Sequence, residues 1–120
     1  MKRFTSLSLL ALASALAAAP ASAGELSADQ VRQVIRANGH EVRACYERHA
    51  MKQKSATGKV TLDLVVRPEG TVEEVTVDAA GVRGSQFRRC VEQKARSWRF
   101  PEATGSTEVQ YPFLFQHTRT

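Results

Sequence analysis

The chain has 120 residues, of which 42% are hydrophobic and 24% charged, with two cysteines and a formal net charge of +5. This length allows one domain with one modest core and excludes a multidomain protein. The positive charge is spread along the chain, whereas nucleic-acid binding needs a concentrated basic face with stacking aromatic residues. We therefore predict no nucleic-acid partner.

The first 23 residues have the three parts of a secretory signal peptide. A basic pair at positions 2–3 precedes the uncharged residues 4–19, and the small residues 20–23 form a cleavage site of the A-x-A kind. Cleavage between Ala23 and Gly24 leaves one domain, residues 24–120, with a net charge of +3. The alternative is a retained membrane anchor, but an anchor needs about 20 predominantly apolar residues. We predict a periplasmic or secreted protein with no membrane insertion after cleavage.

The first element of this domain is predicted to be a helix from Leu26 to about Met51. Ser27, followed three residues later by Gln30, has the form of a capping box. The apolar residues recur at helical spacing; they are Val31, Val34, Ile35, Val42, Cys45 and Tyr46. Gly39 interrupts the pattern, and a helical glycine costs about 1 kcal/mol relative to alanine. The pattern therefore allows a bend or a break there.

Two strands joined by a turn follow the helix. The first has the alternating period of a half-buried strand, with apolar residues at Val60, Leu62, Leu64 and Val66. Residues 67–70, Arg-Pro-Glu-Gly, reverse the chain because Pro fixes φ at the second turn position and Gly tolerates a positive φ. The return strand breaks strict alternation between Val72 and Val75, which predicts a β-bulge.

A second helix and a last strand complete the domain. The helix is predicted from about Ser85 to Ser97, since a residue before a proline, here Phe100, leaves the α region. Its inward face is formed by Phe87, Cys90, Val91, the stem of Lys94, and Trp98. The last strand has alternating residues on one face, namely Val109, Tyr111, Phe113 and Phe115.

The order α-β-β-α-β predicts an α+β fold in which two helices pack on a three-stranded antiparallel sheet. The predicted core residues are Val31, Ile35, Val60, Leu62, Leu64, Phe87, Trp98, Phe100, Phe113 and Phe115.

Cys45 and Cys90 are predicted to form one disulfide, because small exported chains with two cysteines are oxidised. One alternative is a pair of buried free thiols. Another is a metal site that combines both cysteines with His49, one helical turn from Cys45. Zinc sites usually contain more closely spaced cysteine pairs. We therefore predict no metal and no cofactor.

We find no catalytic constellation in the sequence. It has neither a G-x-S-x-G turn nor a Gly-rich phosphate loop, and a disulfide would remove the thiolate of Cys45 beside His49. Glu73 and Glu74 are adjacent in a strand and should face opposite sides, which does not suit a general acid and base. The prediction is a protein that is not an enzyme.

Six short segments, in order, carry a family resemblance that covers nearly the whole predicted domain. They are Cys45-Tyr46, Gly58–Leu62, Glu69–Val77, Phe87–Val91, Trp98–Pro101 and Tyr111–Phe115. This set resembles the AgmX/PglI C-terminal domain, which is related to the C-terminal domain of TonB energy transducers. The resemblance implies the same α-β-β-α-β order in a periplasmic, non-catalytic interaction domain of gliding-motility and cell-envelope proteins. It also implies a protein partner whose short peptide adds as a strand to an exposed sheet edge.

The last strand supplies the candidate edge for such binding. If Val109, Tyr111 and Phe113 bond to the neighbouring strand, the alternate residues face the open edge. These alternate residues are Gln110, Pro112, Leu114 and Gln116. Because proline has no N–H, the edge lacks a donor at its middle and is partly protected against strand addition. Alternatively, Pro112 simply bends or ends the strand.

Two functions are consistent with these observations. The first is a periplasmic adaptor domain that binds an unidentified envelope protein or peptide, within motility or envelope transport machinery. The second is a small structural or stress protein of the envelope that acts as a homo-oligomer, such as a homodimer, through its sheet edges.

Overall fold

The computed structural model of the chain describes residues 25–116. The signal peptide predicted for residues 1–23 lies outside this range. The elements occur in the predicted order, and their bounds are α1 Ala28–His49, β1 Lys59–Val66, β2 Val72–Ala79, α2 Gln86–Ala95 and β3 Thr107–Leu114. The α+β fold is therefore confirmed.

The three strands form an antiparallel sheet in the order β2-β1-β3. Alternate residues of the central strand β1, from Val60 to Val66, are buried in one cluster with residues of both helices. The other face of the sheet carries the half-buried or exposed residues. The molecule thus has two layers, with helices covering one face of the sheet.

Helix α1 begins after the predicted capping box. The Ser27 Oγ accepts a hydrogen bond from the Gln30 N–H at 3.1 Å, and the Gln30 Oε1 accepts one from the Ser27 N–H at 2.9 Å. Ser27 is the N-cap, with the extended φ and ψ of −76° and 160°, so Leu26 precedes the helix. Its N–H donates to the Thr107 Oγ1 at 3.0 Å. The helix continues through Gly39 without the break that the sequence allowed. Burial of its apolar face outweighs the roughly 1 kcal/mol helical cost of one glycine.

The β1–β2 hairpin has the predicted turn and bulge. The Gly70 N–H donates to the Arg67 carbonyl oxygen at 2.8 Å, and Gly70 has a φ of 98°. The register shifts near the turn and leaves Glu73 as the extra residue of β2. Glu73 and Glu74 are both exposed, so neither enters the core, whereas strict alternation would direct one of them there. The reason is the bulge, which interrupts the strand period at this point.

Helix α2 is shorter than predicted and has a different last inward residue. It ends at Ala95, which is buried, whereas Lys94 is exposed and its stem does not belong to the core. Ala95 follows the buried Val91 by four residues and therefore lies on the same side of the helix. Trp98 comes after the helix but is only 2% exposed, and its Nε1–H donates to the Glu41 Oε1 at 2.7 Å.

Most of the predicted core is buried, and the predicted disulfide is present. Val31, Phe113 and Phe115 are the exceptions, because they are partly buried and pack against the core. Cys45 of α1 and Cys90 of α2 are bridged, with their Cα atoms 5.7 Å apart. Within residues 25–116, no helix is long and apolar enough to cross a membrane.

Candidate functional site

Strand β3 forms one edge of the sheet, and its hydrogen bonds show which backbone groups face outward. Just past the strand, the Phe115 N–H donates to the Gly58 carbonyl oxygen at 2.8 Å. Bonding groups alternate along an antiparallel strand, so the odd-numbered residues of β3 point towards β1. The even-numbered residues from Glu108 to Leu114 therefore direct their backbone groups to the open edge.

The residues predicted to form this edge are all exposed. Gln110, Pro112 and Leu114 lie within β3, whereas Gln116 follows its end. Leu114 is 80% exposed and is the one large hydrophobic residue of the described range that is mainly in solvent. The structure therefore brings three of the four predicted edge residues onto one strand, with their side chains on the face away from the helices.

Pro112 is compatible with a regular strand because of its position. It is opposite Thr61 of β1, in a register that continues without a shift from Lys59 to Val66. Its nitrogen faces outward, so the missing N–H removes no hydrogen bond to β1. Pro112 therefore neither ends nor shifts the strand, and what it removes is one donor from the open edge.

A groove of about 350 Å3 lies beside the N-terminal half of this edge, between the start of α1 and β3. Its apolar lining includes Leu26, Val31, Val109 and Tyr111. Its charged lining comprises Glu25, Arg32 and Glu108. An apolar side chain entering from the open edge would find contacts here.

A second groove, of about 310 Å3, lies at the other end of β3. Its lining includes Arg43 and Glu47 from α1, together with Leu114, Phe115 and Gln116. Between the two grooves, a side-chain carbon added at Gly39 would lie 3.6 Å from the Phe113 Cε1. This is an ordinary van der Waals distance, so α1 lies close to the edge strand here and leaves room for a Cβ.

Aromatic rings connect this edge to the core. Tyr111, Phe113 and Phe115 follow one another on the helix side of β3, with successive ring centroids 5.0 and 5.8 Å apart. The Phe115 ring lies 4.9 Å from that of Tyr46, which in turn lies 5.6 Å from Phe87 of α2. These contacts hold β3 against the core, although its own aromatic side chains are only partly buried.

Tyr46, like Phe87, is fully buried. Burial raises the pKa of its hydroxyl above the ordinary value of 10.0, and a hydrogen bond with the Gly58 backbone acts in the opposite direction. The hydroxyl is therefore protonated at physiological pH and serves packing.

The solvent face of the sheet is acidic around the N-terminal half of β3. Asp63 of β1, Glu74 of β2 and Glu108 of β3 line a shallow depression of about 540 Å3 on this face. Its described lining contains no Lys, Arg or His. A cationic side chain placed here would lie near three carboxylates.

The described residues offer no further candidate for metal or thiol chemistry. Among residues 25–116, no group of three or more His, Cys, Asp or Glu side chains could hold a metal ion. Both cysteines are in the disulfide. His40 is exposed and His49 is half-buried on α1. The alternative of a Cys–His metal site is therefore contradicted by the bridged sulfurs.

Comparisons with protein-family models, curated proteins and solved structures find no match for this chain. The resemblance to the AgmX/PglI domain stays a prediction from the quoted residues.

Sequence reasoning missed the contribution of α1 to this site. Val31 was assigned to the core and Arg32 and Arg43 were assigned no role, yet all three line grooves beside β3. The buried Thr107, which anchors Leu26, was also missed. Arg32 and Arg43 are eleven residues apart, which is about three helical turns, and this spacing was the available signal that they lie on one side of α1.

Proposed function

We propose that this chain is a non-catalytic interaction domain of the cell envelope that captures an extended peptide from a partner protein. The peptide adds to β3 as a fourth strand. The observation that carries the proposal is the outward direction of the backbone groups at Glu108, Gln110 and Leu114 along an unshifted strand. An exposed row of such groups is a template for strand addition.

The opposite edge of the sheet is less suitable for this role. Strand β2 has the bulge at Glu73, and bulges disrupt pairing along an edge. Its beginning is also flanked by the chain after α2, because Thr71 forms a β-bridge with Arg99 and the Phe100 N–H donates to the Gly70 carbonyl oxygen at 2.9 Å. These contacts favour β3 as the binding edge.

The proposed location is the periplasm, or the exterior of the cell. The disulfide is consistent with an oxidising compartment, and residues 1–23 have the form of an export signal. Within the envelope, the resemblance to the AgmX/PglI domain favours a partner in motility or transport machinery.

A proline scan of the outward positions tests the proposal. Gln110→Pro removes an outward N–H but no hydrogen bond to β1, and Pro112 demonstrates that this strand accepts proline at an even-numbered position. Gln110→Ala is the matched control, since it removes the side chain and keeps the N–H. We expect crosslinking of the exported protein to its envelope partner to be lost in Gln110→Pro and retained in Gln110→Ala. Equal crosslinking by both variants would exclude this edge.

The second candidate function uses the same edge with a different occupant. The exposed Leu114 on β3 favours association of two copies of the chain through their edge strands. Sedimentation of the purified protein separates the two functions, because a strict monomer excludes the homo-oligomer.

A further inference from the structure

We infer that the captured strand is cationic, with Lys or Arg at alternate positions and apolar residues between them, and that it pairs with the N-terminal half of β3. This inference rests on the proposed strand addition and specifies the chemistry of the partner.

The backbone of the edge determines which half of β3 anchors the added strand. Glu108 and Gln110 each have both an N–H and a carbonyl oxygen directed outward. Pro112 has no N–H, so the ladder is interrupted before Leu114. The longest uninterrupted run of outward donors and acceptors is therefore in Thr107–Tyr111.

The solvent face beside this half of β3 is acidic across all three strands. Val65 is paired with Glu74 on one side and with Glu108 on the other, which places both carboxylates in one row across the sheet. In the next row, Asp63 lies between Thr76 and Gln110. A strand added beyond β3 extends both rows by one residue each.

A strand that pairs antiparallel with β3 can bring cationic side chains close to the carboxylates of these two rows. A residue directly opposite Glu108 has its Cβ about 4.5–5.5 Å from that of Glu108, on the same face. The next residue on this face is about 7 Å further along the strand, beside Gln110. Two Lys or Arg residues separated by one position therefore occupy the outer ends of the two rows. One lies beside Glu108, and the other lies beside Gln110 in the row of Asp63.

The helix face takes the residues between these cations. There the groove contains Leu26, Val31 and Tyr111, which favour apolar side chains. Arg32 also lines this groove, but its Nη1 lies 3.1 Å from the Asp29 Oδ1. Because Asp29 compensates this cation and Glu25 adds a further negative charge, the helix face gives no advantage to an acidic peptide.

A second copy of the chain fits this half of the edge less well. Its own β3 would bring another Glu108 to a site that already contains Glu108 and Asp63, and opposed like charges in a sheet are unfavourable. The exposed Arg88 and Arg89 of the second copy are on α2 and not on its edge strand. Charge complementarity therefore favours a cationic partner strand.

Three capped peptides test the inference by fluorescence anisotropy with the protein purified after export with its own leader. The first has the core Val-Lys-Val-Lys-Val, the second Val-Glu-Val-Glu-Val, and the third Val-Lys-Lys-Val-Val. The third has the composition of the first but divides its lysines between the two faces. At low ionic strength we expect the first to bind about tenfold more tightly than the second and several-fold more tightly than the third. Added salt should reduce these preferences, because surface charges are screened beyond about 10 Å at 0.1 M.

Glu108→Gln should weaken binding of the first peptide about two- to fivefold, whereas Asp78→Asn, on the same face but on β2, should not.

Equal binding of the Lys and Glu peptides, abolished for both by Gln110→Pro, would overturn the inference and leave strand addition intact. Undiminished binding of the Lys peptide by Gln110→Pro would place it away from the edge and overturn the inference. An absence of binding by all three peptides would also overturn the inference. In that case, the crosslinking experiment in the envelope still decides the proposed function. A dimer that Gln110→Pro dissociates would identify a second copy as the occupant instead.

Discussion

Gly58, just before β1, contacts both the end of β3 and helix α1 through its backbone. Its carbonyl oxygen accepts the Phe115 N–H, and its backbone forms a hydrogen bond with the Tyr46 hydroxyl. Its φ is 87°, a left-handed value that residues with a Cβ rarely adopt. A Cβ at this position would also collide with the Phe115 carbonyl oxygen. The end of β3 therefore depends on a residue without a side chain at the start of β1.

Two glycine substitutions should consequently have opposite effects. Gly58→Ala introduces both backbone strain and the collision, and we expect it to lower the free energy of unfolding by more than about 2 kcal/mol. Gly39→Ala is the control, because its Cβ would make an ordinary contact, 3.6 Å from the Phe113 Cε1, inside a helix. This variant should be as stable as the wild type or up to about 1 kcal/mol more stable. Urea denaturation measures both, and a stable Gly58→Ala would contradict the role given to Gly58.

Tyr46 should make the protein sensitive to alkaline pH. Burial raises the pKa of its hydroxyl in the folded state above 10.0. The unfolded chain therefore releases this proton more readily, and stability is lost as the pH rises above the unfolded value towards the folded one. We expect unfolding curves between about pH 8 and pH 11 to fall less steeply with pH for Tyr46→Phe than for the wild type. Tyr111→Phe, at a partly exposed position, is the control, and identical pH dependence in all three proteins would refute the assignment.

At the scale of elements, the local signals predicted the secondary structure well. The capping box at Ser27 and the alternation in β1 depend on neighbouring residues, and both are confirmed. The end of α2 was misjudged because helical spacing admits either Lys94 or Ala95 as the next residue after Val91. Packing decided for the alanine, which fits without burying a charge.

The disulfide should be the largest single constraint between elements. It joins α1 to α2 across 45 residues of sequence, and closing a loop of this size stabilises a chain by about 4 kcal/mol in the loop-entropy model. The double variant Cys45→Ala/Cys90→Ala should lose about that free energy of unfolding in urea. Reductant should bring the wild type to the same level and leave the double variant unchanged. Loss of less than about 1 kcal/mol would show that packing already restricts both helices.

At the scale of the whole molecule, charge is divided between the two layers. The helices expose Arg36, Arg43, Arg88 and Arg89, while the solvent face of the sheet around Val65 is acidic. The net charge of the chain therefore does not describe the surface at the candidate site, where the local charge has the opposite sign.

The predicted export signal gives a measurable property of the mature protein. Expressed with its own leader, the exported protein should begin at Gly24. Its intact mass should be lower by two hydrogen atoms than that of the reduced form, because the disulfide is closed. Mass spectrometry before and after reduction tests both points. An intact N-terminal segment on the exported protein would indicate a retained anchor.

The sequence by itself determined the order of the elements, their inward faces apart from the last turn of α2, and the turn at Gly70, since periodicity and turn chemistry act over a few residues. It predicted the disulfide, because only one pairing of two cysteines exists, and the structure decided between that pairing and free thiols. The sequence also predicted that the alternate residues of β3 form a binding edge if the other residues of the strand bond to its neighbour. Only the tertiary structure decided that β3 lies at the edge with those groups outward. It likewise brought Leu26 to Thr107, α1 to Phe113, and Asp63, Glu74 and Glu108 into one depression. These contacts join residues far apart in the chain, so no local pattern specifies them.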